Sequence, residues 1–276
     1  MNSRAIGNVV LVYDPDEQDS ADLIAITCEN AMQLVRENWG LEPPDNCSIY
    51  VMTSWLGFLL QSAPWRWRIL MGTTLPFWGF RARRTWLYSA GWTQSYGRKV
   101  AIGVKPARLM EQNGNEYHGS IDIHMFVEEK DMRVNVQNVT CHELVHACSA
   151  HLKLPMWLNE GIATVTVDRF QGRPTIRQET LKYMRGFMPK ATPPTYRELS
   201  RMGVEAIAYH GMRGYWLVRY MEKQYPSFLK NMFSLHRDAR MIEREMIAEL
   251  GMEPESFWNE IDGVIVDHFE REGADY

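Results

Sequence analysis

Five consecutive residues, His142-Glu143-Leu144-Val145-His146, place two imidazoles and a carboxylate in the spacing HExxH. On an α-helix, residues four apart lie on one side about one turn from each other, so both rings can ligate one metal ion. Glu143 then projects beside the rings. Its carboxylate is placed to take a proton from a water that the metal activates, rather than to bind the metal itself. This is the residue pattern of metal-assisted hydrolysis.

A catalytic zinc usually has three protein ligands and one open position, so a third ligand must lie downstream. His151 is near, but the pattern HExxHxxGxxH needs Gly at 149 and His at 152, where this chain has Ser149 and Leu152. At about 100° per residue, a continuing helix turns His151 roughly 140° away from the direction of His146. It reads as a surface histidine or as one that supports a ligand from behind. Glu160 fits better, because Leu154-Pro155-Met156-Trp157-Leu158-Asn159-Glu160-Gly161 reads as a turn followed by a second helix that folds back on the first. The segment Met156 to Val167 is otherwise apolar, and an unpaired carboxylate is costly to bury there. The expected ligand set is His142, His146 and Glu160, holding one Zn²⁺ per chain. Two imidazoles and a carboxylate suit that ion.

Thr140-Cys141-His142-Glu143-Leu144-Val145-His146, paired with Leu154-Pro155-x-Trp157-Leu158-x-Glu160-Gly161-Ile162-Ala163, resembles the peptidase MA-like gluzincins, relatives of thermolysin and aminopeptidase N. The likeness extends to the stretch from Ala208 to Met221, which is similar to the downstream helix of that family. It implies a zincin-like α+β fold: a twisted mixed sheet packed on an active-site helix, followed by a mainly helical C-terminal lobe. It also implies an edge strand over the cleft that pairs with extended peptide, for which Ile121 to Val127 is the candidate. A Tyr or His should stabilise the oxyanion. Tyr209 matches best, with His210 and Tyr215 as alternatives, and each of the three also reads as a packing or capping residue. The chain departs from thermolysin-like enzymes at Thr164, where they carry an Asp one turn after the ligand Glu. Asp168 is the nearby substitute.

Several elements must position these residues. Alternation at Val9–Tyr13 predicts a strand, and Ile24, Cys28, Ala31, Val35 and Trp39 share one face of a predicted helix over Ser20–Trp39 that Gly40 stops. Further strands are expected at Ser48–Thr53, Lys99–Val104 and Ile121–Val127. The active-site helix is expected over Val139–Leu152 with Asn138 as its cap. Amphipathic helices are expected over Gly214–Gln224, Ser227–Leu235, Met241–Leu250 and Glu255–Phe269.

Between Trp55 and Trp92 lie six of the ten tryptophans, interleaved with Arg66, Arg68, Arg81, Arg83 and Arg84. Arginines and prolines break every apolar run, so no membrane span is expected. The stretch reads as a packed insertion or long hairpin covering the sheet, or as a partner-binding or membrane-interface surface.

The 276 residues, 45% hydrophobic and 23% charged, suffice for a sizeable core. One domain is expected over 1–276. Residues 1–137 form its sheet-containing lobe with the Trp-rich insertion at 55–97, and 138–276 supply the active-site helix and the helical lobe. A net charge of −4 leaves no general footprint for nucleic acid. The apolar run at Val9–Tyr13 is too short for a secretory signal, and Cys28, Cys47, Cys141 and Cys148 form no CxxC pair. Both features lead us to expect a cytoplasmic protein with reduced thiols.

The expected partner is a peptide or protein substrate, with peripheral contact to a membrane as a further option. The alternative to a peptidase is a non-catalytic zinc-binding module of the same fold. An intact Glu143 argues against that, because a scaffold needs no base beside its metal.

Overall fold

The fold is described from a computed structural model of the chain, in which every residue is described except 117–124, 187–192, 196–197, 199–203, 236–237 and 272–276. The protein is mixed α and β. It comprises two compact units, residues 1–34, 42–119 and 129–150 in the first, and 35–41, 120–128 and 151–276 in the second.

The first unit is built on a five-stranded mixed sheet. Strands β1 (Asn2–Ile6), β2 (Val9–Tyr13), β3 (Cys47–Val51), β4 (Gly91–Tyr96) and β5 (Lys99–Val104) lie in the order β1-β2-β3-β5-β4. β2, β3 and β5 run parallel, and antiparallel β1 and β4 form the two edges. Central parallel strands are covered on both faces and read as apolar runs. Accordingly Ile49, Val51, Val100, Ile102 and Val104 are buried. Helix α1 (Gln18–Trp39) buries the face its spacing predicts, with Ile24, Cys28, Ala31, Val35 and Trp39 withdrawn from solvent.

The Trp-rich stretch is mainly helical, which corrects the expectation of a long hairpin. Ser54 caps α2 (Trp55–Ser62) by accepting from the Gly57 N–H, and α3 (Trp65–Tyr88) follows directly. Phe58, Leu59 and Ala63 of this pair pack with Tyr50, Met52, Tyr96 and Ala101, while Met71, Trp86 and Trp92 flank the cluster. The end of the stretch supplies β4, so the insertion contributes a strand to the sheet instead of only covering it. After β5 come α4 (Ala107–Glu116) and α5 (Met132–Ser149), with α5 packed on β4 and β5.

Helix α5 begins well before Val139. Its cap is Asp131, which accepts from the Arg133 N–H at 2.8 Å, and Asn138 lies inside the helix. Of the expected strand Ile121–Val127, residues 121–124 lie outside the described residues. Phe126 makes an isolated antiparallel bridge to Ile176 within the second unit and belongs to none of the five strands.

The second unit is helical among its described residues: α6 (Met156–Gln171), α7 (Thr180–Gly186), α8 (Val204–Gln224), α9 (Phe228–Ser234), α10 (Ala239–Glu249) and α11 (Phe257–Arg271). Helices α6 and α8 cross at Gly161 and Gly214. A Cβ at Gly214 would stand 1.9 Å from the Trp157 carbonyl oxygen, and one at Gly161 would stand 2.5 Å from the Gly214 carbonyl oxygen. Only glycine permits this approach of backbone to backbone. Among the described residues, no helix is long and apolar enough to cross a membrane.

Candidate metal centre

Helix α5 turns Val136, Cys141, Leu144, Val145 and Cys148 into the core, which leaves the next stripe of its surface half-buried. His142 and His146 occupy that stripe on adjacent turns. Their rings stand 4.6 Å apart and nearly perpendicular, and the two Nε2 atoms are 3.0 Å from each other. Bonds of about 2.0–2.1 Å from two imidazoles to one zinc require ring nitrogens about this close.

Glu160 lies in the second turn of α6, with its backbone carbonyl accepting from Thr164 Oγ1 at 2.9 Å. One ligand atom from each of His142, His146 and Glu160 falls within 4.8 Å of the others, and all three side chains are half-buried. Among the described residues this is the one group of His, Cys, Asp and Glu side chains compact enough to hold an ion. The donor set, two imidazoles and a carboxylate, fits zinc. His151 is exposed on a 3₁₀ turn and is not in the group.

Glu143 is held separately, by the outer strand of the sheet. Thr93 Oγ1 donates to Glu143 Oε2 at 2.6 Å and lies 3.2 Å from the Glu143 backbone carbonyl. Two residues earlier on the same face of β4, a Cβ at Gly91 would collide with Glu143 Cγ at 2.6 Å and Oε1 at 2.7 Å. Gly91 therefore makes room for the carboxylate, and Thr93 orients it. Neither residue was singled out from the sequence. The alternation of Trp92, Gln94 and Tyr96 with Thr93 and Ser95 was the available signal.

The three donor candidates on α8 have different surroundings. The Tyr209 hydroxyl is buried and donates to Asp262 Oδ2 at 3.4 Å; burial and the neighbouring carboxylate push its phenol up to about 12. The Tyr215 hydroxyl donates to Asp168 Oδ2 at 2.6 Å. His210 is buried, and its Nδ1 has no hydrogen-bond partner among the described residues. Burial and the Arg213 guanidinium lower it to about 4, so its ring is neutral at pH 7. Next to it, Gly211 brings α8 against Glu160, with 4.0 Å between its would-be Cβ and the Glu160 Cβ.

Asp168 takes a role other than bracing the ligand Glu. Its Oδ1 accepts from the Thr175 N–H and hydroxyl at 2.7 and 2.6 Å, and its Oδ2 accepts from Tyr215 and from Arg219 at 3.1 Å. It ties the end of α6 to the following loop and to α8. The four cysteines are free and buried in the first unit, where burial pushes the thiols of Cys47 and Cys141 up to about 12 and those of Cys28 and Cys148 upward as well. Compared with known protein families, curated proteins and solved structures, the chain matches none.

Proposed function

We propose that this protein is a zinc-dependent peptidase of the gluzincin type, with a zincin-like arrangement of sheet and active-site helix. The observation that carries the reading is the convergence of His142, His146 and Glu160 beside a carboxylate, Glu143, that belongs to the same helix but is held by β4. A zinc ion bound by the three ligands supplies Lewis acidity, which polarises a scissile carbonyl and activates water. Glu143 removes the proton of the attacking water and delivers it to the leaving amine. Thr93 fixes the orientation of that carboxylate, and the close fit at Gly91 keeps it from swinging away.

Strand β4 is the sheet edge nearest this base, so an extended peptide adds to it as a further antiparallel strand. Main-chain hydrogen bonds then give affinity without sequence specificity. The phenolic proton of Tyr209 is directed at Asp262, so we give the oxyanion role to His210, a neutral ring with an unused nitrogen that directly precedes Gly211, the α8 residue against Glu160. His210→Phe should lower kcat by about 10²-fold with little change in KM, whereas Tyr209→Phe should leave kcat within about threefold. Steady-state kinetics on a fluorogenic peptide would read this, and the reverse order of effects would restore Tyr209 as the donor. The free buried thiols fit a reducing compartment, and we place the reaction in the cytoplasm.

Elemental analysis of wild type beside Glu160→Ala tests the ligand set. About one zinc per chain in the wild type, and a loss of metal affinity of at least about tenfold in the variant, is expected. Full retention of zinc by Glu160→Ala would mean that another residue is the third ligand.

A further inference from the structure

We infer that helices α2 and α3 form a docking element for an anionic membrane surface. Between Asp45 and Glu111 the chain has nine Lys and Arg residues and no Asp or Glu, in a protein whose net charge is −4; five of the nine lie on α3, and Arg108 is paired with Glu17. Attraction to an anionic surface therefore belongs to this stretch and not to the molecule as a whole. The two helices are anchored on the sheet by Phe58, Leu59, Met71 and Trp86, so what they leave exposed is a feature of a packed element.

That exposed part is strongly apolar. Leu56 and Leu60 project from α2, and on α3 Trp65 is 65% exposed, Ile69 60% and Leu70 53%. All six residues from Trp65 to Leu70 are exposed, with Trp67 leaning on the Tyr96 ring at 5.9 Å and Trp65, Arg66, Ile69 and Leu70 sharing the opposite, outward face. A lipid interface accepts indoles and aliphatic chains at the depth of the acyl boundary and guanidinium groups at the phosphates.

Arg66 is exposed within this apolar tip, with its guanidinium 5.4 Å from the Trp65 ring centroid, and Arg83 is exposed about 20 Å beyond Leu70 along the same helix. Arg68 donates to the carbonyls of Ala63 and Gln61 and fixes the turn between the helices. Lys105 is buried under Trp86 and adds nothing to the outer charge. No described helix crosses a membrane, so the attachment is peripheral and reversible. Each basic residue near an anionic leaflet strengthens binding, and the effect weakens as salt is raised.

The test is co-sedimentation of the full chain with vesicles of phosphatidylcholine alone, and with vesicles containing about a quarter phosphatidylserine. Two variants are compared, Trp65→Ser/Ile69→Ser/Leu70→Ser and Arg66→Glu/Arg83→Glu. All five changes fall on exposed side chains, and circular dichroism checks that each variant is folded. The wild type should bind the anionic vesicles and release them at high salt, and each variant should bind at least about tenfold more weakly. Should the apolar variant fail to fold, the charge-reversal variant carries the test alone. Equal binding to neutral vesicles without salt dependence would overturn the proposal. So would absence of vesicle binding, including the case in which an acidic protein is captured through these same residues.

Discussion

Glu143→Gln should keep about one zinc per chain and lose about 10³-fold in kcat, within the range that a positioned general base contributes. The replacement is nearly isosteric, and Thr93 can still donate to the amide oxygen, so the local packing stays as it is. What disappears is the ability to take a proton. His146→Ala, by contrast, should lose both metal and turnover, because its ring nitrogen is one of the three converging donors. Zinc content by elemental analysis, run beside hydrolysis of a general peptide substrate, separates the two outcomes. A Glu143→Gln protein with undiminished activity would remove the base from the mechanism.

The largest stability effect should come from the second unit, at a pair distant in sequence from the HExxH helix. Arg213 and Asp262 are 1% and 0% exposed and meet at 2.7 Å. A second guanidinium nitrogen donates to the Trp258 carbonyl at 2.7 Å, and the guanidinium lies 4.8 Å from the centroid of the Trp258 ring. Arg213→Ala leaves a carboxylate and a carbonyl buried without these donors and should cost about 3–5 kcal/mol. Arg185 and Asp267 make the useful contrast: both are more than half exposed, and Arg185→Ala should cost about 0–1 kcal/mol. Chemical denaturation of the two variants measures the difference. The double variant Arg213→Ala/Asp262→Ala should be less destabilised than the sum of its single variants, since each single change strands the other charge. Equal small losses at both sites would show that the buried pair is not coupled.

The grouping of His142, His146 and Glu160 was legible from the sequence because helical spacing is a local code. His142 and His146 four apart, and an acidic residue within an apolar helix after a Leu-Pro turn, need no knowledge of the rest of the chain. The start of α5 was not legible. Val134 and Val136 alternate with Arg133, Asn135 and Gln137 and carry β-branched side chains, so the local pattern suggests extended chain, and packing on β4 and β5 decides for helix. β4 was hidden for a related reason. Trp92 and Tyr96 belong to the aromatic cluster of the first unit, and the composition of their neighbourhood masked the alternation that Thr93 and Ser95 complete. The roles of Tyr209 and Asp168 depend on partners 53 and 7 residues away along the chain, Asp262 and Thr175, and no spacing rule anticipates such pairings. The C-terminal helices were legible to within a turn, except that α8 starts about three turns before Gly214, where the close crossing with α6 needs a residue that by propensity reads as a helix breaker.

Helix α5 presents its imidazoles on one stripe and its sulfurs on another, with Cys141 directly preceding His142 and Cys148 two residues after His146. Folding thereby sorts nitrogen from sulfur donors within a single turn-to-turn pattern. In the unfolded chain, thiols and imidazoles compete for the same ion, and any metal caught by sulfur stabilises the wrong state. Once the sheet covers α5, the thiols are protonated and inaccessible, and the imidazoles are only half-buried. An ion offered to the folded chain would therefore meet imidazoles and a carboxylate in place of thiolates.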